Sequence, residues 1–209
     1  MATLSVANSW SDVSARVKNI GDVSTTQQLR LASIVNREIR EALLDVDPEQ
    51  LISTSTISVV ANTASYTLPT DFQSLEAIGC GMYLVDTNGK DTDTKLAITS
   101  FGSEKKGFYL NATSIVMTPI PASSETYKFR YIATISDFAV DTENFVVGDR
   151  FRECVRTGLL VQYYWQKNGS KDTDYMNWSA EYAKRMDDMQ DWYRRLSDTV
   201  GVQDISNNY

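Results

Sequence analysis

Hydrophobic positions fall into three blocks with different spacing. In residues 9–20, Val13, Val17 and Ile20 recur at helical intervals behind Ser9 and Asp12, a capping-box-like start, and Gly21-Asp22 follows. Ser24 with Gln27 repeats the device and opens a helix to about Leu44. Its broad apolar face holds Leu31, Ile34, Val35, Ile39, Ala42 and Leu43, with Arg30, Arg37, Glu38, Arg40 and Glu41 mostly opposite. Asp47-Pro48 stops it, because a residue before proline is disfavoured from helical geometry.

From Ser53 the period shortens and small and β-branched residues take over. Ile57–Val60 and Tyr66–Leu68 flank the turn-like Ala61-Asn62-Thr63-Ala64 and predict a hairpin. Asn88-Gly89 favours a type I′ turn between Met82–Asp86 and a return strand through Lys95–Ile98. Asn111-Ala112-Thr113 predicts another hairpin, Gly107–Leu110 against Ser114–Thr118. Tyr127, Phe129 and Tyr131 alternate with Lys128 and Arg130, the mark of a half-exposed antiparallel strand. Gly79 and Gly81 inside an apolar run predict a bulge or close backbone approach. The middle block reads as an antiparallel sheet or small sandwich of roughly six to eight strands.

Helical spacing returns after Gly148. Asp149 is the expected N-cap, and Phe151, Val155, Leu159 and Tyr163 lie near one face. Gly158 within that helix predicts a close neighbour. Lys167-Asn168-Gly169 ends it, and Ser170 or Asp172 starts a last helix. There Tyr175, Trp178, Tyr182, Met186, Met189, Tyr193 and Leu196 form one stripe, flanked by the i,i+4 pairs Glu181–Arg185 and Asp191–Arg195. Residues 198–209 are polar and unpatterned and are expected to be a flexible C-terminal tail. The fold class is α+β: a helical bundle of N- and C-terminal helices (1–54 plus 139–197) with an inserted antiparallel β-sheet or sandwich (55–138).

Composition removes whole classes of chemistry. The 209 residues include no histidine, which excludes Ser-His-Asp and Cys-His catalysis and histidine-ligated metals. Two cysteines, Cys80 and Cys154, are too few for a disulfide framework or a four-cysteine zinc site and read as buried thiols. The net charge of −7 is spread evenly: 5 basic against 7 acidic residues in 1–54, 6 against 8 in 55–138, and 9 against 12 in 139–209. Nothing here is a basic footprint for sequence-specific nucleic-acid binding. No run is long enough to span a membrane, and Met1–Val6 lacks the basic region and apolar core of a signal peptide.

Local motifs add no catalytic set. Asp86-Thr87-Asn88-Gly89 with Asp91 and Asp93 departs from a calcium loop, which needs glycine sixth and glutamate twelfth where this chain has Asp91 and Ala97. Gly79-Cys80-Gly81 lacks the third glycine of a dinucleotide fingerprint. Asp187, Asp188 and Asp191, with Lys184, Arg185, Arg194 and Arg195 nearby, read as a solvated, ion-paired face. The sequons at Asn111, Asn168 and Asn177 have no secretory signal to serve. The expectation is a non-enzymatic protein without cofactor or metal. Tyr164, Trp165 and Trp192 project off the aromatic stripe, and such aromatics are enriched at interfaces, so a subunit contact is expected there.

One stretch carries a family resemblance. Tyr66-Thr67-Leu68-Pro69-Thr70-Asp71-Phe72 leads into Leu75–Ile78 after an N-terminal helical segment. Ser114–Pro121 precedes Tyr127–Tyr131, and an aromatic helix pair spans 149–197. This arrangement resembles the head–tail adaptor (connector) proteins of tailed bacteriophages, most closely the tail-tubular-A-like adaptors of short-tailed phages. The resemblance implies a structural virion protein of the neck or tail region, made in the host cytoplasm. It implies a dodecameric ring under the portal protein that receives a tail or nozzle protein and extends the channel for DNA ejection. DNA would pass without specific binding, which the acidic balance suits. The expected partner and oligomer interface takes in Tyr164, Trp165, Trp192, Arg152 and Arg156, with Asp198, Ile205 and Tyr209 in a tail that orders on the portal. Tyr66, Leu68, Pro69 and Phe72 are expected as the structural junction between helical body and sheet. The alternatives are another neck or tail-completion structural protein, or an α+β ligand-binding protein or enzyme with an unseen site.

Overall fold

The computed structural model describes residues 3–17, 20, 23–86 and 88–206. The chain is mixed α+β, with four α-helices and ten strands among those residues. It divides into two compact units: residues 1–47 with 135–209, and Pro48–Thr134.

The first unit begins with β1 (Thr3–Ser5), followed directly by α1 (Val6–Arg16). The N-cap of α1 is Ser5, whose Oγ accepts from Asn8 N–H, and not the expected Ser9. Ser9 is already helical and buried, with its hydroxyl donating to the Ser5 carbonyl. At α2 (Thr25–Val46) the Ser24/Gln27 capping box forms in both directions, as its spacing predicts. Leu31, Val35, Ile39 and Leu43 are buried along one face.

Residues 138–148, ahead of the returning helical spacing, hold a strand that the sequence pattern does not show. Asn144–Gly148 is a strand, β10, pairing antiparallel with β1. Two buried polar side chains of α2 hold this segment: Ser33 Oγ accepts from Phe138 N–H at 2.8 Å and Asn36 Oδ1 from Val146 N–H at 2.8 Å. A polar group can sit in a core when it satisfies a backbone donor that would otherwise be stranded. Asp149 is not an N-cap either. It lies in a 3-10 turn, Asp149–Phe151, and its carboxylate binds Arg152.

α3 (Arg152–Asn168) is buried without break from Cys154 to Val161, because α1, α2 and the final helix all pack against it. Gly169, at φ +79°, ends it as expected. Asp172 Oδ1 accepts from Asp174 and Tyr175 N–H and opens α4, which runs Thr173–Ser206. The backbone of α4 therefore continues through 198–206, where a flexible tail is the expectation. Its stripe is buried most deeply at Met189 and Tyr193, whereas Leu196 is exposed. Glu181 pairs with Arg185 as predicted, and Asp191 also binds Arg194.

The second unit starts with a 3-10 turn, Pro48–Leu51. It continues with β2 (Ile52–Val59), β3 (Ser65–Thr67), β4 (Phe72–Ser74), β5 (Gly81–Val85), β6 (Asp91–Ile98), β7 (Gly107–Asn111), β8 (Ser114–Thr118) and β9 (Glu125–Ala133). These form one eight-stranded sheet in the order β2-β9-β5-β6-β7-β8-β3, with β4 also on β9. Ile57 and Val59 from one end share a core with Phe108, Ile115 and Met117 from the other, so the sheet curls over and nearly closes. Tyr127, Phe129 and Tyr131 line that core, as the alternation in β9 predicts. At the other end of the ladder Ile52 is paired with Ile132.

Two predicted hairpins form: β5 with β6 (Met82 opposite Leu96) and β7 with β8 (Asn111 opposite Ser114). The first loop is longer than a two-residue type I′ turn. Asp86 N–H donates to the Lys90 carbonyl, and Gly89 N–H to the Asp86 carbonyl. The third predicted hairpin does not form. β2 pairs with β9 and β3 with β8, so adjacency in sequence does not set the partner there. The sheet is also not wholly antiparallel, since β6 and β7 run parallel through Ala97–Gly107 and Ile98–Phe108.

Candidate interaction surfaces

The predicted interface residues on α3 and α4 have different environments. Trp165 is 53% exposed near the C-terminal end of α3, a large apolar ring left in water. Tyr164 beside it is half-buried and packs edge-on against Tyr163 at 5.2 Å between centroids. Burial raises the Tyr164 hydroxyl above its ordinary pKa, with Asp174 adding to it. Trp192 is less free than its position off the stripe suggests. Its ring meets Phe151 at 5.4 Å and Tyr193 at 4.8 Å, with the Arg150 guanidinium 4.7 Å from its centroid. It is half-buried and covers the start of α3.

The two arginines also differ. Arg152 is exposed and bridges Asp149 at 2.6 Å and Asp12 at 3.5 Å, tying α3 to α1. Arg156, one turn on, has an 8% exposed side chain paired with Glu153. Asp198 and Ile205 fall on the backbone of α4; their side chains and the whole of Tyr209 lie outside the described residues.

Arg156 belongs to a cleft of about 380 Å³ among α1, α3 and α4, lined by Arg16, Glu153, Arg156, Thr157, Asn177, Trp178, Glu181 and Arg185. Arg16 and Arg185 were not singled out from the sequence as site residues. Arg16 lies 140 positions from Arg156 (156 − 16), and no local pattern links them.

The predicted junction residues pack inside the sheet unit, whereas the chain crosses between units after Asp47 and after Thr134. Tyr66 is half-buried, and its hydroxyl bonds Val60 N–H at 3.0 Å and the Thr63 carbonyl at 2.8 Å, closing the turn after β2. Leu68 is in the core with its N–H on the Thr113 carbonyl, and Pro69 stops the strand. Phe72 stacks on Phe129 at 5.9 Å. Next to it, Asp71 accepts from Thr134 N–H and from Tyr131 Oη, so the stretch anchors the end of β9.

The sheet unit carries its own apolar surface. Phe101 is 86% exposed and Ile120 61%, and both line a shallow depression with Ala64, Tyr109, Val116 and Pro119. Cys80 and Cys154 are free and buried. Among the described residues no group of three or more His, Cys, Asp or Glu side chains could hold a metal ion. No described helix is long and apolar enough to cross a membrane.

Comparison with protein families supplies the class, a structural adaptor of bacteriophage virions. The chain belongs to the SU10 adaptor protein family, whose model matches residues 8–203 and so spans the helices and the sheet alike. Among curated proteins no significant match is found.

Proposed function

We propose that this adaptor joins head to tail: a ring, dodecameric when assembled, that docks on the portal protein, receives the tail or nozzle protein and prolongs the channel through which DNA leaves. The observation that carries the reading is the family match over residues 8–203. In this reading the kind is tail-tubular-A-like and the place is the neck of the virion. The helical body supplies ring and portal contacts, and the sheet unit faces the tail side or the outside of the ring.

Physical chemistry supports the assignment in two ways. Trp165 and Phe101 leave aromatic rings in water, and aromatic side chains are enriched at protein interfaces. The net charge of −7 leaves a passing DNA strand repelled rather than gripped.

Negative-stain imaging of the purified protein, alone and mixed with its portal, tests the proposal. Rings coaxial with the portal are the expected result. Protein that ignores the portal but decorates tails would instead identify a tail-completion component. Removing residues 198–209 is expected to weaken portal docking, and undiminished docking would remove that segment from the interface.

A further inference from the structure

The lining of the cleft between α1, α3 and α4 carries one more cation than anion. Its lining holds three guanidinium groups, Arg16, Arg156 and Arg185, against two carboxylates, Glu153 and Glu181. Both carboxylates are already engaged. Glu153 Oε2 is shared between Arg156 and Arg16, the latter at 3.9 Å, and Glu181 Oε1 holds Arg185 at 2.7 Å. Asp12, the next carboxylate, reaches Arg152 at 3.5 Å, and Asp149 reaches the same arginine.

Two donors remain. The Nε–H groups of Arg156 and of Arg185 are buried and meet no hydrogen-bond acceptor, while Asp12 Oδ2 is buried and accepts no hydrogen bond. They come from different helices and belong to side chains lining the same cleft. Buried donors almost always find an acceptor, and guanidinium groups favour planar, multidentate oxyanions. Burial depresses the Arg156 pKa, Arg16 and Arg185 depress it further, and Asp12 pulls the other way. The indole of Trp178 and the amide of Asn177 complete the wall, one an apolar face and the other a further donor.

We infer that this cleft is an oxyanion-binding site, taking a carboxylate or phosphate group on Arg16, Arg156 and Arg185. The group has two possible sources, a carboxylate carried by a protein side chain or a free phosphate ion. The inference does not depend on the ring proposed above.

The full chain is titrated with sodium phosphate and, separately, with sodium glutarate, each against sodium chloride at matched ionic strength. Melting temperature and calorimetric heat are read. A site of this kind raises Tm by roughly 5–10 °C when the anion reaches a hundred times its Kd. Arg16→Gln and Arg185→Gln, whose side chains are 48% and 39% exposed, keep the chain folded and each lower affinity at least tenfold. Preference for glutarate assigns a protein carboxylate as the source; preference for phosphate assigns the free ion. A Tm rise no larger than chloride gives, or affinity in both variants equal to that of the parent chain, overturns the site.

Discussion

Gly158 of α3 faces the ring of Tyr182 of α4. A Cβ at position 158 would stand 2.9 Å from Tyr182 Cε2 and 2.8 Å from Val35 Cγ1 of α2. Neither neighbour is the end of a flexible chain, so the three helices approach this closely only over glycine. Gly158→Ala gains up to about 1 kcal/mol in helix propensity but overpacks a site where such strain costs about 1–3 kcal/mol. A net loss of up to about 2 kcal/mol is expected, read as a lower urea midpoint with an unchanged m-value.

A second close approach fixes the parallel pair in the sheet. A Cβ at Gly107 would lie 2.4 Å from the Ala97 carbonyl oxygen. Gly107→Ala must part β6 from β7 locally. The Thr99 amide, which donates to the Phe108 carbonyl at 2.7 Å, then exchanges with deuterium faster than in the parent protein, while amides of α3 keep their protection. Unchanged exchange at Thr99 would count against this.

Tyr131 Oη donates to Asp71 Oδ1 at 2.8 Å beneath β4. Burial first, and then this carboxylate, push the tyrosine up to about 12 from an ordinary value of 10.0. A raised folded pKa contributes stability that is complete below pH 10 and lost as pH rises through about 12. Tyr131→Phe is expected to cost about 1–2 kcal/mol at neutral pH. It also removes one late step from the tyrosinate absorbance titration.

Glu38 on α2 accepts from Gln162 Nε2 of α3 at 3.0 Å. Burial raises its carboxyl above the ordinary 4.5, the Tyr182 hydroxyl opposes this, and Glu41 adds to it. The stability tied to this proton is therefore present below pH 4.5 and declines as pH climbs through the raised value. Glu38→Gln retains an acceptor for Gln162 without the charge. Thermal melts should show the variant gaining on the parent between about pH 4 and pH 7; parallel curves would refute this.

Both thiols are sealed. Burial pushes Cys154 up to about 12, against a small downward pull from Arg185, and also raises Cys80. Because only the thiolate attacks, neither should react with a disulfide reagent in the native protein, and both should react on unfolding in guanidinium. Rapid native labelling of Cys154 would mean that α3 and α4 separate in solution.

What could be read in the chain was what is encoded within a few residues of itself. The Ser24–Gln27 box, the alternation of Tyr127, Phe129 and Tyr131, the stop at Gly169 and the crowding at Gly158 all rest on short spacings. Pairings chosen at a distance were not readable. β2 skips the nearby β3 for β9, because partners with a common buried face matter more than a short turn. Thr3–Ser5 is too short to show a period, so β1 and its partner were missed. Asp149 has the composition of a cap yet serves Arg152. Among the interface candidates, Trp165 stands exposed where off-stripe geometry puts it, but Trp192 is half covered by Phe151. The arginine cleft gathers side chains from three helices, and only tertiary packing brings them together.

The pairing of Ile52 with Ile132 has a further consequence. The sheet unit enters on β2 and leaves on β9, and these strands are direct neighbours in the ladder. Ile52 and Ile132, a few residues inside its two ends, therefore lie about one strand spacing apart, ~4.8 Å. A module whose ends meet can be gained, lost or traded between chains in one genetic event, without stretching the host backbone on either side. Variation among relatives is then expected as wholesale exchange of residues 48–134 on a constant helical frame, with breakpoints at Asp47 and Thr134.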